Sequence, residues 1–283
     1  MAPLGSFVNL EAFVLVVSAA VLHAVWNLVV KGSDDRLASM WAVATAGAIV
    51  NLPVLITLGL PEARVLGWLL MSAALHVGYG YALAGAYDRV DLAAAYPIAR
   101  GTAPLIVTVL GITLLGDTIS PVGVAGIVLV ACSLAIIGLR HVPSGVGWPL
   151  LTGLVIAAYT VTDGAGVRAG DESVRYIGAL FVLHSAAFTT MIRISRGSFE
   201  SLHRAIRRSP SQLLLGGAAS AGAYLLVMIA ARTTPLGLVA GLRETSAGFG
   251  VLAGYLVLGE RVTRFHAGAV VVALAGSVLI ATS

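Results

Sequence analysis

Two arginines, Arg100 and Arg243, each lie inside an apolar stretch long enough to cross a bilayer. Arg100 stands eight residues into LAAAYPIARGTAPLIVTVLGITLL (92–115). At about 1.5 Å per helical residue that is roughly 12 Å into a hydrocarbon core about 30 Å thick. An ionised side chain at that depth marks a functional site by default, facing a bundle interior or a water-filled cavity. A guanidinium offers a planar fork of donors that fits a carboxylate or a phosphate. Its other use is structural: bonding carbonyls at a broken helix, or pairing with an acid from a neighbour. Pro97, three residues before Arg100, frees carbonyls nearby. Glu244 directly follows Arg243. Adjacent helical residues point about 100° apart, so these two do not simply pair with each other. Glu244 can bind a proton or an amine, or satisfy Arg100 or a loop.

A second polar set starts with His23, Trp26 and Asn27. His23 and Asn27 are four apart and share a helical face. Tyr159 and Asp163 repeat that spacing. Such a set can build a cavity wall with hydrogen-bonding groups, an aromatic platform and titratable groups. Histidine changes charge near neutral pH, and a buried aspartate is costly to ionise, so either can couple protons to transport. Interhelical hydrogen bonding alone is the plainer use. His76, Tyr79 and Tyr81 follow on one later segment, with Tyr224 as a distant counterpart. His184 stands alone and reads as a packing residue.

These residues need long helices to carry them. The chain has 283 residues, of which 58% are hydrophobic and 11% charged. Soluble domains carry about 25% charged residues, so this chain must face lipid. Ten apolar segments of membrane-spanning length can be marked: 10–30, 39–60, 65–87, 92–115, 121–139, 147–167, 174–194, 211–231, 236–258 and 264–282. Turn residues and charges separate them, as in KGSDDR, GLPEAR and GDTISP. Continuous apolar runs exclude the alternation of a lipid-facing β-barrel. The 33 glycines suit close helix packing. The longest gap, about 195–210, carries RAIRR and reads as a solvated basic loop near headgroups, with a short surface helix as the alternative. The single Cys132 reads as buried packing and leaves no disulfide. The first apolar run lacks a basic leader and reads as a retained span.

An internal repeat is visible. LLGDTIS (114–120) resembles VLGERVT (257–263) at an offset of 143, which also pairs Arg100 with Arg243, Thr102 with Thr245 and Tyr81 with Tyr224. At an offset of 136, His23 pairs with Tyr159 and Asn27 with Asp163. Two halves of five spans each, 1–142 and 143–283, must sit in opposite orientations, because five is odd. Inverted repeats are a signature of secondary transporters. Inversion would put the two arginines on opposite sides of the midplane.

The chain resembles EamA-type transporters of the drug/metabolite transporter superfamily. The resemblance rests on HAVWNLVVK (23–31), AAAYPIARGTAPL (93–105) and LRETSAGFGVLAGYLVLGERVT (242–263). It implies a ten-helix fold with a cavity between the halves and export or exchange of small metabolites. It also implies that the first, third and fourth helices of each half line the cavity. The fold class expected is all-α integral membrane, in the cell (plasma or inner) membrane. The expected substrate-binding residues are His23, Trp26, Asn27, Tyr81, Arg100, Tyr159, Asp163, Tyr224, Arg243 and Glu244. Expected partners are the lipid bilayer, a small polar solute (amino-acid-like or an organic anion) and protons as coupling ion. No metal, cofactor or nucleic acid is expected, and the oligomeric state is left open.

Counting Lys and Arg in the gaps puts the termini outside by the positive-inside rule; the family resemblance implies cytoplasmic termini, and both orientations stay open. Among other functions, an intramembrane aspartyl protease lacks its glycine pattern, because Leu114 precedes Leu115-Gly116-Asp117. No Ser–His elbow and no HExxH is visible, so no catalysis is expected. The alternative is an accessory or structural membrane protein with a transporter-like fold.

Overall fold

The computed structural model describes residues 8–31, 33, 35–90, 92–139, 145–170, 172–249, 256 and 264–283. Every described element is helical. In hydrocarbon each backbone N–H and C=O must be satisfied within its own segment, which is what a helix does. The helices are α1 (Leu10–Lys31), α2 (Arg36–Leu58), α3 (Leu66–Tyr87), α4 (Leu92–Leu115), α5 (Pro121–Leu139) and α6 (Gly147–Ala169). They continue with α7 (Ser173–Arg196), α8 (Glu200–Arg208), α9 (Pro210–Ala230), α10 (Leu236–Arg243) and α11 (Arg264–Ala281). A short 3₁₀ turn, Ala63–Val65, leads into α3.

Seven of these, α1 to α4, α6, α7 and α9, are long and apolar enough to span a membrane. The apolar parts of α5 and α11 are shorter, Pro121–Ile136 and Ala267–Ala281. The chain is an integral, multi-pass membrane protein, as suits a plasma or inner membrane. Three expectations need correction. The RAIRR stretch is not a loop: it forms α8, whose arginines and Glu200 lie exposed along a short polar helix. Cys132 is exposed on α5 rather than packed, because Ala131 and Ser133 turn to the buried side instead. The segment 236–258 is not one straight helix. α10 stops at Arg243, Glu244 is a turn, and helical backbone resumes over 245–249. The rest of that segment and the motif at 257–263 lie outside the described residues.

The packing is symmetric within the chain. If α1, α2, α3, α4 and α5 correspond to α6, α7, α9, α10 and α11, contacts come in matched sets. α1 packs on α9 as α3 packs on α6, and α2 packs on α9 as α3 packs on α7. α2 meets α7, α4 meets α10 and α5 meets α11, each with its own counterpart. Small residues permit this closeness. The carbonyl of Gly276 lies 2.7 Å from where a Cβ on Gly126 would stand, and Gly126 returns the contact at 2.8 Å. Close backbone approach of this kind is how membrane helices associate without a hydrophobic driving force between them.

Two ends can be told apart. At the first, Arg196 from the end of α7 meets Asp35 before α2 (2.6 and 3.2 Å), and Gly145 before α6 lies against Arg89 and Val90. At the second, Asp117, Arg168, Ala231 and Thr234 converge, and Ser283 lies beside the start of α5.

Asp35 shows how sequence sets a boundary. Its carboxylate accepts from the Ala38 N–H at 3.0 Å, capping α2. Partial burial works to raise its pKa, but the bonds from Arg196 and Ala38 outweigh this and hold it below the ordinary value. A carboxyl depressed on folding stabilises above its unfolded pKa, near 4, and loses that contribution as pH falls through its folded value. Asp35→Ala is therefore expected to cost about 0.5–2 kcal/mol at neutral pH. The difference from wild type should shrink below about pH 4, as read by thermal unfolding in detergent.

Candidate functional site

The site begins at the break after α10. From Leu236 to Arg243 the helix advances roughly 12 Å, so it ends deep in the bilayer. The Glu244 N–H reaches back to the Gly241 carbonyl at 3.1 Å, and the Ala247 N–H to the Glu244 carbonyl at 2.9 Å. These are tight three-residue steps, which turn the chain and re-aim side chains. α4 approaches from the opposite end and carries Arg100 to the same depth. Arg100 Nε donates to Glu244 Oε2 at 2.9 Å, and its Nη2 to Ser246 Oγ at 3.3 Å. Both charged groups are almost wholly buried, 5% and 1% exposed. The arginines of the two halves thus meet at one place, and the pairing of Arg100 with Glu244 is the structural use weighed above. The Tyr96 ring lies 5.9 Å from the Arg100 guanidinium, one helical turn before it.

Arg243 is placed differently. It lies beside the Tyr159 phenol, and its Nε is buried without a hydrogen-bond partner among the described residues. Glu244 Oε1 is likewise buried and unpartnered. Native proteins leave few such atoms, because each carries a desolvation cost.

Arg243 and Arg100 both line a central cavity of about 130 Å³. Its wall nearer the first end holds Trp26, Asn27, Met40 and Tyr96; its deeper wall holds Tyr159, Tyr224 and Val227. The cavity therefore runs from the first-end side of the bundle as deep as Val227, near the end of α9. Trp26 Nε1 donates to His23 Nδ1 at 3.1 Å, and the Asn27 amide donates to the His23 carbonyl at 2.8 Å. An Nδ1 that accepts carries no proton, so in this arrangement His23 is neutral with its hydrogen on Nε2.

Aromatic rings floor the cavity. His76 stacks on Tyr159 at 4.2 Å between centroids, and lies 5.1 Å from His184, which stacks on Phe188 at 5.6 Å. The contact of His76 Nδ1 with the Ser72 carbonyl at 2.9 Å requires a hydrogen on that nitrogen. Behind this floor, Asp163 is fully buried. Tyr176 donates to its Oδ1 at 2.8 Å, and Tyr224 makes a short bond to its Oδ2.

At the second end a buried network ties four segments together. Arg168 donates to Asp117 at 2.7 Å, to the Ala231 carbonyl at 2.8 Å and to the Thr234 carbonyl at 3.0 Å. The other Asp117 oxygen accepts the Leu236 N–H at 2.7 Å, tying the start of α10 to the turn after α4.

Seven of the ten sequence-chosen residues line the cavity: His23, Trp26, Asn27, Arg100, Tyr159, Tyr224 and Arg243. Asp163 and Glu244 stand behind its wall. Tyr81 does not belong to it and is 51% exposed on the outer face of α3. The repeat pairing with Tyr224 fails there, because Tyr81 lies on the other face of α3. Gly80 and Tyr79 face the cavity, and a single step turns a helix by about 100°. His184 lines the cavity rather than packing alone. The wall also includes residues of α2 and α7, such as Ala44 and Phe181, beyond the first, third and fourth helices of each half. Tyr96 was readable from its i,i+4 spacing to Arg100.

No family model matches the chain, and no curated protein matches it. Solved structures do: 28 chains match. One, titled "Crystal structure of protein", superposes with a TM-score of 0.77 over 96% of each chain at 16% identity. At that identity the likeness shows the fold: a multi-span, all-helical membrane protein.

Proposed function

We propose that this protein is a secondary-active transporter that moves a small polar metabolite, amino-acid-like or an organic anion, by efflux or exchange. The observation that carries this reading is the broken helix at Arg243–Glu244, which presents a guanidinium to the central cavity. Discontinuous helices that meet near the midplane are where transporters hold their substrates. The matched contacts between α1–α5 and α6–α11 support ten spans in two inverted repeats, 1–142 and 143–283, of the EamA type. Consecutive unpartnered edges of opposite sign, Arg243 Nε and Glu244 Oε1, support a solute that bears a carboxylate and an amine. Alternating access would supply the movement that exposes them. No catalytic step is assigned: both Asp117 oxygens are occupied by Arg168 and the Leu236 N–H.

Alternating access is tested by labelling a single cysteine at Ala44 in a Cys132→Ser background. A membrane-impermeant maleimide should reach it from the first end at once, and from the second end during turnover. Modification from the first end only, in every condition, would mean a dead-end cavity and an accessory role.

A further inference from the structure

Asp163 belongs to a set of contacts that the substrate cavity does not use up. Its two oxygens face opposite ways. Oδ2 takes the bond from Tyr224, which lines the central cavity. Oδ1 takes the bond from Tyr176, which lines a second cavity of about 130 Å³ at the second end. Pro61, Glu62, Glu172 and Arg175 border that second cavity. Its lining is half polar, and a single water needs only about 10–15 Å³ of polar space.

We infer that Asp163 is the coupling-proton site, loaded from the second end through the Tyr176 hydroxyl. The inference rests on the transport reading above and adds the coupling ion and its route. Five observations carry it. Asp163 is 0% exposed, and no arginine or lysine forms an ion pair with it among the described residues. Both of its hydrogen-bonded partners on α7 and α9 are neutral phenols. From α3, Ser72 and His76 lie near it, the Ser72 hydroxyl standing 3.2 Å from His76 Nδ1. The charged residues on the other helices packed against α6 are committed or more distant: Arg100 on α4 pairs with Glu244, and Arg243 on α10 lies beside Tyr159. On its own helix, Arg168 is spent on Asp117.

The local sequence makes room for this contact. Gly166 lies one turn after Asp163, and a Cβ there would stand 2.5 Å from the Tyr176 hydroxyl. Only a glycine lets that ring lie flat enough against α6 to reach the carboxylate.

The proton step balances simply. A hydronium in the second cavity gives a proton to the Tyr176 oxygen as that hydroxyl passes its own to Oδ1. The phenol is restored, and Asp163 becomes a neutral acid. With Tyr224 also donating, the new proton has no acceptor on the cavity side until the Tyr224 hydroxyl turns round. Asp163 therefore stores a proton instead of passing a current, and its neutralisation removes one charge from the floor that His76 and Arg243 share.

The test uses full-length protein inserted uniformly in proteoliposomes, with a radiolabelled mixture of L-amino acids and small carboxylates as probe. Counterflow is read without a pH gradient, and uptake is read with protons supplied from either end. Wild type should respond to the gradient. Asp163→Asn should keep counterflow and lose the response. Tyr176→Phe, which removes one hydroxyl and keeps the ring, should lose the response to protons from the second end and keep that from the cavity end. A gradient response retained by Asp163→Asn, or equal responses from both ends in Tyr176→Phe, would overturn the inference. If Asp163→Asn does not elute as a folded protein, the directional result with Tyr176→Phe decides. Wild-type counterflow indifferent to pH would overturn this inference alone. Wild type without counterflow would remove the transport reading and this inference with it.

Discussion

Arg243→Gln should weaken solute binding by roughly 10- to 150-fold while leaving the protein folded. The basis is the contrast between two arginines at the same depth. Arg100 is held by Glu244 and Ser246, whereas Arg243 lines the cavity with its Nε unpartnered. A charged hydrogen bond is worth about 1.5–3 kcal/mol, so its loss should weaken affinity by roughly 10- to 150-fold. The fold should tolerate the change, because no acid is left without a partner when Arg243 goes. Arg243→Lys is expected to recover only part of the affinity, since an ammonium keeps the charge but not the planar fork. Thermal stabilisation of purified protein by a panel of amino acids and small carboxylates checks this, since a ligand at a hundred times its Kd adds about 2.7 kcal/mol. Equal stabilisation of wild type and Arg243→Gln would remove Arg243 from the binding site.

The second large effect is on stability. Glu244→Leu leaves the Arg100 guanidinium buried with its acid gone, and should destabilise by about 3–5 kcal/mol. Arg100→Leu alone should do the same in mirror image, stranding the carboxylate. Replacing both by leucine removes the two desolvation costs together and should recover most of the loss, because buried ion pairs are often neutral against apolar replacements. Unfolding of the four proteins in one detergent gives the coupling energy directly. Additive losses would mean that the two residues do not depend on each other, and that the 2.9 Å contact holds nothing together. The same cycle also separates this pair from Arg243. The single variants of the pair should lose transport through loss of fold, and Arg243→Gln through loss of binding.

Much of the scaffold was legible in the sequence for a plain reason. Spans are long, apolar and bounded by charge, and bilayer physics leaves them few alternatives. The intramembrane arginines were legible as exceptions to that composition. Their different roles were not, because the contact that separates them joins residues 144 apart. The break at Glu244 had no local proline to announce it. Tyr81 was paired with Tyr224 from a repeat offset, yet it is Tyr79, two residues earlier, whose side chain faces the cavity while Tyr81 faces outward. Tyr176 went unnoticed since it reaches Asp163 across a turn between helices. Its sequence trace was Gly166, whose missing side chain makes space for the phenol. Helical periodicity reports which residues share a face. It does not report which helix that face will meet.

The measurement that bears most directly on the central reading is counterflow with the purified wild-type chain in proteoliposomes. Vesicles loaded with pooled L-amino acids and small carboxylates should accumulate the matching labelled solute above equilibrium, and vesicles carrying Arg243→Gln should not. A flat time course for every pool, from protein shown to be folded, would contradict transport of such solutes and leave an accessory membrane protein in its place.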